Sequence, residues 1–190
     1  MKEAITRQSI QLFERKGFSS TSVQDIVESL GVTKGTFYYY FTSKETLLMD
    51  IHLRYIDDLL VRQNKILNSN ESCRNQLTGI VGLLINDIQT QGSNVRVYFR
   101  EMRHLSEENS IVIKNKRRMF HLTIEQLIKE GIEKKEFREN LEPKMTTFAI
   151  LGVTNWSYEW FDPSGTVSSK ELASMYMDFI LHGIDLGRNE

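Results

Sequence analysis

Apolar residues recur at every third or fourth position along almost the whole chain, a period that predicts helices rather than strands. Near the N-terminus one such face consists of Val23, Ile26, Val27 and Leu30. Gly31 follows at the position where a helix needs a left-handed stop residue. A second short helix, rich in aromatic residues, comes directly after this turn. A helix, a tight glycine turn and a second helix make a helix-turn-helix, which places its second helix in the DNA major groove.

The same pattern predicts an all-α fold of about nine helices. Only Pro143 and Pro163 interrupt the chain, and strand-like alternation is absent. We expect a three-helix DNA-binding domain over residues 1–45 and a helical-bundle domain for ligand binding and dimerisation over residues 46–190. The predicted helices cover residues 2–16, 23–30, 33–41 and 43–68, a segment ending at 92, residues 94–104 and 107–134, one from Pro143, and one capped by Ser168 or Ser169.

The start of the predicted recognition helix carries suitable contact chemistry. In this motif the N-terminal residues of the second helix reach base edges. Lys34 can donate to guanine, and Thr36 can bond a base or touch a thymine methyl group. Gly35 has no side chain, so the backbone can approach the groove closely. Thr33 opens the helix with them, although residues of this kind at a helix start often form only a cap and a solvated face.

Five consecutive aromatic residues, Phe37 to Phe41, continue the same helix. Phe37 and Phe41 are four apart and should face the core together. Tyr38, Tyr39 and Tyr40 then cover the other faces, where hydroxyl groups can bond phosphate oxygens. Consecutive aromatic residues often serve only as core, but five adjacent ones cannot all face one core from a helix.

The segment Thr42–Glu45 has the spacing of a capping box for the next helix. Lys44 lies in the first turn of that helix, where its charge adds to free backbone N–H groups. The pattern therefore predicts a phosphate contact at Lys44. The plainer alternative is a helix cap with a solvated face.

The sequence from Gly31 to Leu48 closely resembles the DNA-binding signature of the TetR family of bacterial repressors. The similarity extends back through Phe18 and Gly17 to the start of the chain. One departure is Tyr40, where the family commonly has His. The resemblance implies DNA contacts from Ser22, Thr33, Lys34, Gly35, Thr36, Tyr38, Tyr39, Tyr40 and Lys44.

Charge and composition narrow the class of protein. The net charge is −1, which argues against a non-specific nucleic-acid coat. The basicity is local, since the stretch from Gly31 to Lys44 holds two lysines and no acid. A lone Cys73 excludes a disulfide framework, and no Cys/His grouping suggests a metal. Without a signal peptide or a membrane-spanning apolar run, we expect a cytoplasmic protein.

Catalysis is not indicated by the sequence. The four histidines are scattered, and no nucleophile motif or glycine-rich phosphate loop appears. An architectural protein that only bends DNA would not need so large an apolar helical domain. We therefore expect a DNA-binding regulator that uses no cofactor and responds to a small-molecule effector.

The last two predicted helices carry near-continuous apolar stripes. Such a hairpin can form half of a four-helix bundle with a copy of itself, or it can simply seal the core of one protomer. The TetR resemblance implies a homodimer through these helices. The predicted interface residues are Phe148, Gly152, Met175, Phe179 and Gly183.

The segments at residues 98–109 and 155–165 resemble a TetR subgroup that includes repressors of fatty-acid and sterol-ring catabolism. Members of that subgroup respond to acyl-coenzyme A thioesters, so acyl-CoA is the effector that the resemblance implies. The predicted ligand-binding residues are Phe99, Met102, Arg103, Met119, Phe120, Trp156 and Trp160. These residues can equally fill a core. An aromatic cavity with Glu101 and Glu159 can instead take a cationic drug, as in a repressor of an efflux gene.

Overall fold

The computed structural model describes residues 1–183, and these form eight α-helices and one 3-10 turn, with no strand. The all-α prediction is confirmed. Residues 184–190, the end of the predicted domain 46–190, lie outside the described part. The elements are α1 (Lys2–Lys16), α2 (Val23–Ser29), α3 (Lys34–Tyr40), α4 (Lys44–Leu67), α5 (Cys73–Arg100), the 3-10 turn (Met102–His104), α6 (Glu107–Glu133), α7 (Pro143–Trp160) and α8 (Ser169–His182).

The helix count is eight rather than nine because the predicted fifth and sixth helices are joined in α5. That helix is interrupted at Gln91, whose backbone angles (φ −145°, ψ 39°) are not helical. The predicted break at Gly92 is therefore present as a kink, one residue earlier. A single non-helical residue redirects the chain without an intervening loop.

Local sequence signals account for most helix ends. Gly17 (φ 81°) follows α1, and Gly31 (φ 65°) follows α2, each in the left-handed region that glycine tolerates. Pro143 occupies the first turn of α7, where its missing N–H costs nothing. Ser168 caps α8 by accepting a hydrogen bond from the Glu171 backbone N–H.

The chain divides into two compact units. Unit 1 contains residues 1–59 and 91–117, and unit 2 contains residues 60–90 and, within the described part, residues 118–183. Helices α4, α5 and α6 each contribute one part to unit 1 and the other part to unit 2.

In unit 1 the three short helices and the start of α4 enclose a small apolar core. The rings of Phe13 and Phe18 pack edge to face with centroids 5.2 Å apart. The Thr21 hydroxyl group donates to the Gly17 carbonyl at 2.8 Å and closes the loop between α1 and α2. The fully buried apolar side chains are Ile5, Phe13, Ile26, Phe37, Leu47 and Leu48, and each contributes about 1.5–3 kcal/mol by leaving water.

In unit 2 the buried apolar side chains come mainly from α5 and α6, including Leu77, Ile80, Ile85 and Ile124. Arg62 donates through two nitrogens to the buried Asp87 carboxylate, at 2.5 and 2.7 Å. Helices α7 and α8 are joined by a hydrogen bond of 2.7 Å between the Ser157 and Tyr176 hydroxyl groups. This pairing holds the last two helices together as a hairpin.

Candidate nucleic-acid interface and effector region

Helix α3 presents its basic and aromatic side chains to solvent. Tyr39 is 81% exposed, and Lys34, Tyr38 and Tyr40 are also exposed, whereas Phe37 is 0% exposed. Phe41 is buried as well. The predicted division of the five aromatic residues between core and surface is confirmed. The outward face therefore offers one cation and three phenol groups, which suits contact with bases and phosphates.

Two of the predicted DNA contacts serve as helix caps. Thr33 caps α3, and its Oγ1 atom accepts from the Thr36 backbone N–H at 3.4 Å. Ser22 forms a capping box at α2, in which Asp25 accepts from the Ser22 backbone N–H at 2.7 Å and from its hydroxyl group at 2.9 Å. These hydrogen bonds lower the pKa of Asp25. The one hydroxyl proton of Ser22 is thus donated internally rather than held available for a phosphate.

Lys44, which the sequence predicts as a phosphate contact, already has two hydrogen-bond partners within the protein. Its ammonium group donates to the Phe18 carbonyl and the Thr21 carbonyl, both at 2.6 Å. The same nitrogen lies 4.2 Å from the centroid of the Phe18 ring. Burial lowers the pKa of Lys44, partly opposed by the charges of Asp25 and Glu101. Lys44 therefore fastens the α1–α2 loop to the start of α4.

The predicted capping box over Thr42–Glu45 is wrong in its partners. Ser43, not Thr42, caps α4, because its Oγ atom accepts from the Thr46 backbone N–H at 3.0 Å. Glu45 instead accepts from the Ser106 backbone N–H at 2.8 Å and from the Asn109 amide at 2.9 Å. These hydrogen bonds lower the pKa of Glu45. A residue next to the DNA-binding helices is thereby tied to the start of α6.

Further contacts within unit 1 join α1 and its following loop to the end of α5 and to the 3-10 turn. Glu14 on α1 forms an ion pair with Arg96. The Phe18 ring stacks on the His104 ring with centroids 5.3 Å apart. His104 Nε2 also lies 3.3 Å from the buried Glu101 carboxylate. The DNA-binding helices are therefore held by α5, the 3-10 turn and α6 as well as by α4.

A polar cluster lies inside unit 1, between α4, α5 and α6. Its rings are those of His52 and Tyr98, whose centroids are 5.3 Å apart, with Tyr55 4.7 Å from Tyr98. The Arg117 guanidinium lies 5.9 Å from the Tyr98 ring and 5.7 Å from the Phe99 ring. Burial lowers the pKa of His52, against smaller opposite effects of the Leu48 and Tyr98 backbones. Burial also raises the pKa of Tyr98, so the hydroxyl group stays protonated at neutral pH.

The seven predicted ligand residues divide between the two units. In unit 1, Phe99 and Met102 both contact Arg117, whose Nη1 donates to the Met102 sulfur at 3.3 Å. Arg103 is exposed, with its Nε 3.3 Å from His104 Nε2. In unit 2, Phe120 is buried.

The other three predicted ligand residues, all in unit 2, are on its surface. Trp156 is 64% exposed, Trp160 is 52% exposed and Met119 is exposed too. These three side chains therefore face outward in the single chain, and their role in ligand binding stays a prediction.

The predicted interface residues form a surface of unit 2. Phe148, Met175 and Phe179 are exposed although they are large and apolar. Gly152 is exposed, and a Cβ atom added there would meet nothing within 4 Å. Gly183 is also exposed. Large apolar side chains are seldom left exposed without a partner, so this part of unit 2 is a candidate interaction surface.

Unit 2 also contains a cleft of about 850 Å³ with a mainly apolar lining that includes Leu77, Ile128 and Phe137. Three of the predicted interface residues, Gly152, Phe179 and Gly183, contribute to its wall. None of the seven predicted ligand residues does. The cleft therefore adjoins the candidate dimer surface rather than the polar cluster of unit 1.

Comparison with known proteins decides the family. Residues 70–184 match the model of the tetracyclin repressor-like C-terminal domain, and residues 5–51 match that of the bacterial regulatory proteins of the tetR family. The first match alone spans more than half of the chain. This chain belongs to the TetR family. Family members are DNA-binding transcriptional regulators, so this chain is a DNA-binding regulator and not an enzyme.

Individual TetR-family proteins are similar over almost the whole chain. The HTH-type transcriptional repressor KstR2 of Rhodococcus jostii is 27% identical over 175 residues, which cover 91% of this chain and 85% of the relative. The structure of PfmR from Thermus thermophilus aligns with a TM-score of 0.89 at 27% identity, covering 95% of this chain and 98% of that one. AibR, solved with isovaleryl coenzyme A and operator DNA, shares the fold at 20% identity, with a TM-score of 0.86 over 95% of this chain and 97% of its own.

Within residues 1–183 of this TetR-family protein, no helix is both long and apolar enough to cross a membrane.

The polar cluster of unit 1 was not predicted as a site from the sequence. A signal was present, because His52 interrupts the apolar inner stripe of α4 formed by Leu48, Ile51, Tyr55 and Leu59. A polar side chain on a buried helix face needs polar groups around it, and the nearby Tyr98 is distant from His52 in the sequence.

Proposed function

We propose that this chain is a ligand-responsive repressor that binds a palindromic operator as a homodimer and leaves it on binding an acyl-CoA thioester. The observation that carries the DNA-binding part is the outward face of α3. That helix follows the Gly31 turn and exposes Lys34 and three tyrosines. Its inner face is fixed because Phe37 and Phe41 are buried in the core. A recognition helix needs this combination of an exposed polar face and a fixed inner face.

The exposed apolar surface of α7 and α8 supports the homodimer. Phe148, Met175 and Phe179 would leave water if two copies paired there, and burial of apolar area is the main driving force of such association. Exposed Trp156 and Trp160 extend the same surface. A two-fold dimer would present two α3 helices about 34–36 Å apart, so that each reads one half of a palindrome.

The similarity to KstR2 supports a repressor, and the subgroup resemblance of residues 98–109 and 155–165 supports an acyl-CoA effector. AibR demonstrates that a protein of this fold can hold both a coenzyme A thioester and operator DNA. An acyl-CoA requires an apolar site for its chain and cations for its phosphates, and Arg forks suit phosphate best. Arg103 is an exposed candidate for the phosphates.

The contacts inside unit 1 supply a route from effector to DNA. The 3-10 turn carries Met102, which contacts Arg117, and His104, which stacks on Phe18. Phe18 is in turn held by Lys44 at the start of α4. A ligand that shifts the 3-10 turn would therefore reposition the α1–α2 loop and the DNA-binding helices with it. Such a shift requires different ligand affinities in the two conformations.

Reciprocal titrations test the proposal. Operator binding is measured by fluorescence anisotropy with and without octanoyl-CoA, and octanoyl-CoA binding is measured by calorimetry with and without operator. We expect both affinities to fall by the same factor, because coupling between two sites is reciprocal.

Coenzyme A alone serves as the control, and crystal violet tests the cationic-drug alternative. Equal octanoyl-CoA affinities with and without operator would exclude it as the inducer. Operator release by crystal violet but not by octanoyl-CoA would favour the repressor of an efflux gene. Absence of operator binding at any salt concentration would refute the DNA-binding role.

A further inference from the structure

Two buried polar atoms of the unit 1 cluster have no hydrogen-bond partner among the described residues. They are the Tyr98 hydroxyl oxygen, on a side chain in a residue 2% exposed, and His52 Nε2, in a residue 0% exposed. Buried polar groups are nearly always paired, because an unpaired one loses its bonds to water without replacement. The two rings have centroids 5.3 Å apart, so one small polar group can pair with both atoms.

The tautomer of His52 defines what Nε2 can do. Nδ1 lies 2.9 Å from the Leu48 carbonyl oxygen, which can only accept, so Nδ1 carries the proton. In the neutral ring Nε2 is then an acceptor. Burial and the nearby Arg117 charge both favour that neutral ring. The cluster thus combines an acceptor on His52 with a donor on Tyr98.

Arg117 adds a cation to the same place. Its guanidinium contacts the faces of Tyr98 and Phe99 and donates to the Met102 sulfur. Among the residues that the structure describes, no carboxylate pairs with this guanidinium. A thioether sulfur is a weak acceptor, so an oxygen would bind this guanidinium better.

The burial of the cluster limits the size and charge of its ligand. His52 and Tyr98 are shielded from solvent and surrounded by the aromatic rings of Tyr55 and Phe99. A phosphate group of coenzyme A would lose its hydration there, whereas a small neutral group would lose little. One hydroxyl group can donate to Nε2 and accept from the Tyr98 hydroxyl at once, which a carbonyl oxygen cannot do.

We propose that Tyr98 and His52 bind a hydroxyl group on the acyl part of the effector, and so select a hydroxyacyl-CoA over its unsubstituted counterpart. The proposal rests on the proposed function, in which the effector is an acyl-CoA. Tyr98 donates a hydrogen bond to the ligand hydroxyl oxygen, His52 Nε2 accepts a hydrogen bond from the same hydroxyl group, and Arg117 lies beside the pair. The two side chains determine specificity, while the acyl chain and coenzyme A supply most of the affinity.

Calorimetry on the full chain tests the selection with three probes: 3-hydroxyoctanoyl-CoA, octanoyl-CoA and coenzyme A. We expect the native protein to prefer the hydroxy thioester about tenfold, the effect of one well-placed hydrogen bond. Tyr98→Phe should abolish this preference and leave octanoyl-CoA affinity unchanged. The matched control is Tyr55→Phe, which removes a hydroxyl group from the adjacent ring and should keep the preference.

The melting temperature of Tyr98→Phe gives a second readout. If the Tyr98 hydroxyl group is unpaired without effector, its removal should leave the protein at least as stable as before. A clear loss of stability, with the ligand preference retained, would assign the hydroxyl group to an internal water instead and overturn the proposal.

The two proposals fail differently. Equal affinity of the native protein for both thioesters refutes the hydroxyl site alone and leaves acyl-CoA as effector. Binding of neither thioester refutes the acyl-CoA effector together with the hydroxyl site. Tenfold preference that survives in Tyr98→Phe places the selection at other residues.

Discussion

Lys44 holds Phe18 by two contacts at once. Its ammonium group donates to the Phe18 carbonyl at 2.6 Å and lies 4.2 Å from the centroid of the same residue's ring. Phe18 also stacks on His104 of the 3-10 turn. The start of α4, the α1–α2 loop and the 3-10 turn are therefore joined around one aromatic ring.

Lys44→Ala should destabilise the DNA-binding helices. The change removes two charge-assisted hydrogen bonds from a half-buried group, for which we expect a loss of about 1–3 kcal/mol in the free energy of unfolding. Urea denaturation measures the loss. Because the ammonium group faces protein carbonyls, the salt dependence of operator binding should stay unchanged. A slope lower by about one, with native stability, would instead show the phosphate contact that the sequence alone suggests.

Lys34→Ala should weaken operator binding without affecting the fold. Lys34 is exposed at the start of α3 and caps nothing. If its ammonium group reads a base, specific binding should fall by about 1–3 kcal/mol while the melting temperature holds. Anisotropy with operator and with random DNA of equal length makes the measurement. An equal loss of affinity for operator and for random DNA would show that Lys34 contacts a phosphate and not a base.

Gly152→Arg should produce a folded monomer that binds the operator weakly. A side chain at Gly152 meets nothing within 4 Å in the protomer, so only a partner surface can exclude it. Sedimentation velocity measures the oligomeric state. Gly82→Arg is the matched control, since a Cβ atom there also meets nothing within 4 Å, and it should remain dimeric. If Gly152→Arg remained a dimer, the interface would not include this part of α7. Gly183 is a poorer test because its φ of 72° strains any other residue.

Stability should fall as the pH drops below about 6.5, the ordinary pKa of histidine. Burial lowers the pKa of His52 in the folded state, so the unfolded chain binds the proton more readily. The neutral His52 ring makes its full contribution to the free energy of unfolding above the pKa that His52 has in the unfolded chain. That contribution is lost as the pH falls toward the lower pKa of His52 in the folded protein. Arg117 and Tyr98 face the ring, and the fixed charge of Arg117 acts in the same direction as burial.

Urea denaturation of the native protein and of His52→Gln between pH 5 and 8 measures this effect. His52 should contribute at most about 1.4 kcal/mol per pH unit to the decline in stability on the acid side. His52→Gln lacks the titrating group, so its curve should be flatter there. Parallel curves for the two proteins would show that His52 does not titrate differently on folding.

Most helix ends and the choice of which α3 residues face outward follow from local sequence. Gly31, Ser22 and Ser168 act on backbone groups within about four residues of themselves, so their effects follow from spacing alone. The division of the aromatic residues, with Phe37 inside and Tyr39 outside, follows equally from about 100° per residue around a helix. The family match also rests on the sequence, because it depends on the order of residues and not on their contacts.

The partners of groups that bind far along the chain depend instead on how the helices pack. Lys44 donates to carbonyls 26 and 23 residues away, and Glu45 accepts from a backbone N–H group 61 residues away. Both side chains lie in the first turn of α4, where local rules favour a cap or a phosphate contact as readily as a distant partner. Likewise the amphipathic period of α7 identifies Trp156 as apolar but does not reveal whether that face is covered. Long-range contacts depend on which helices meet and at what angle, and no local pattern of residues encodes that.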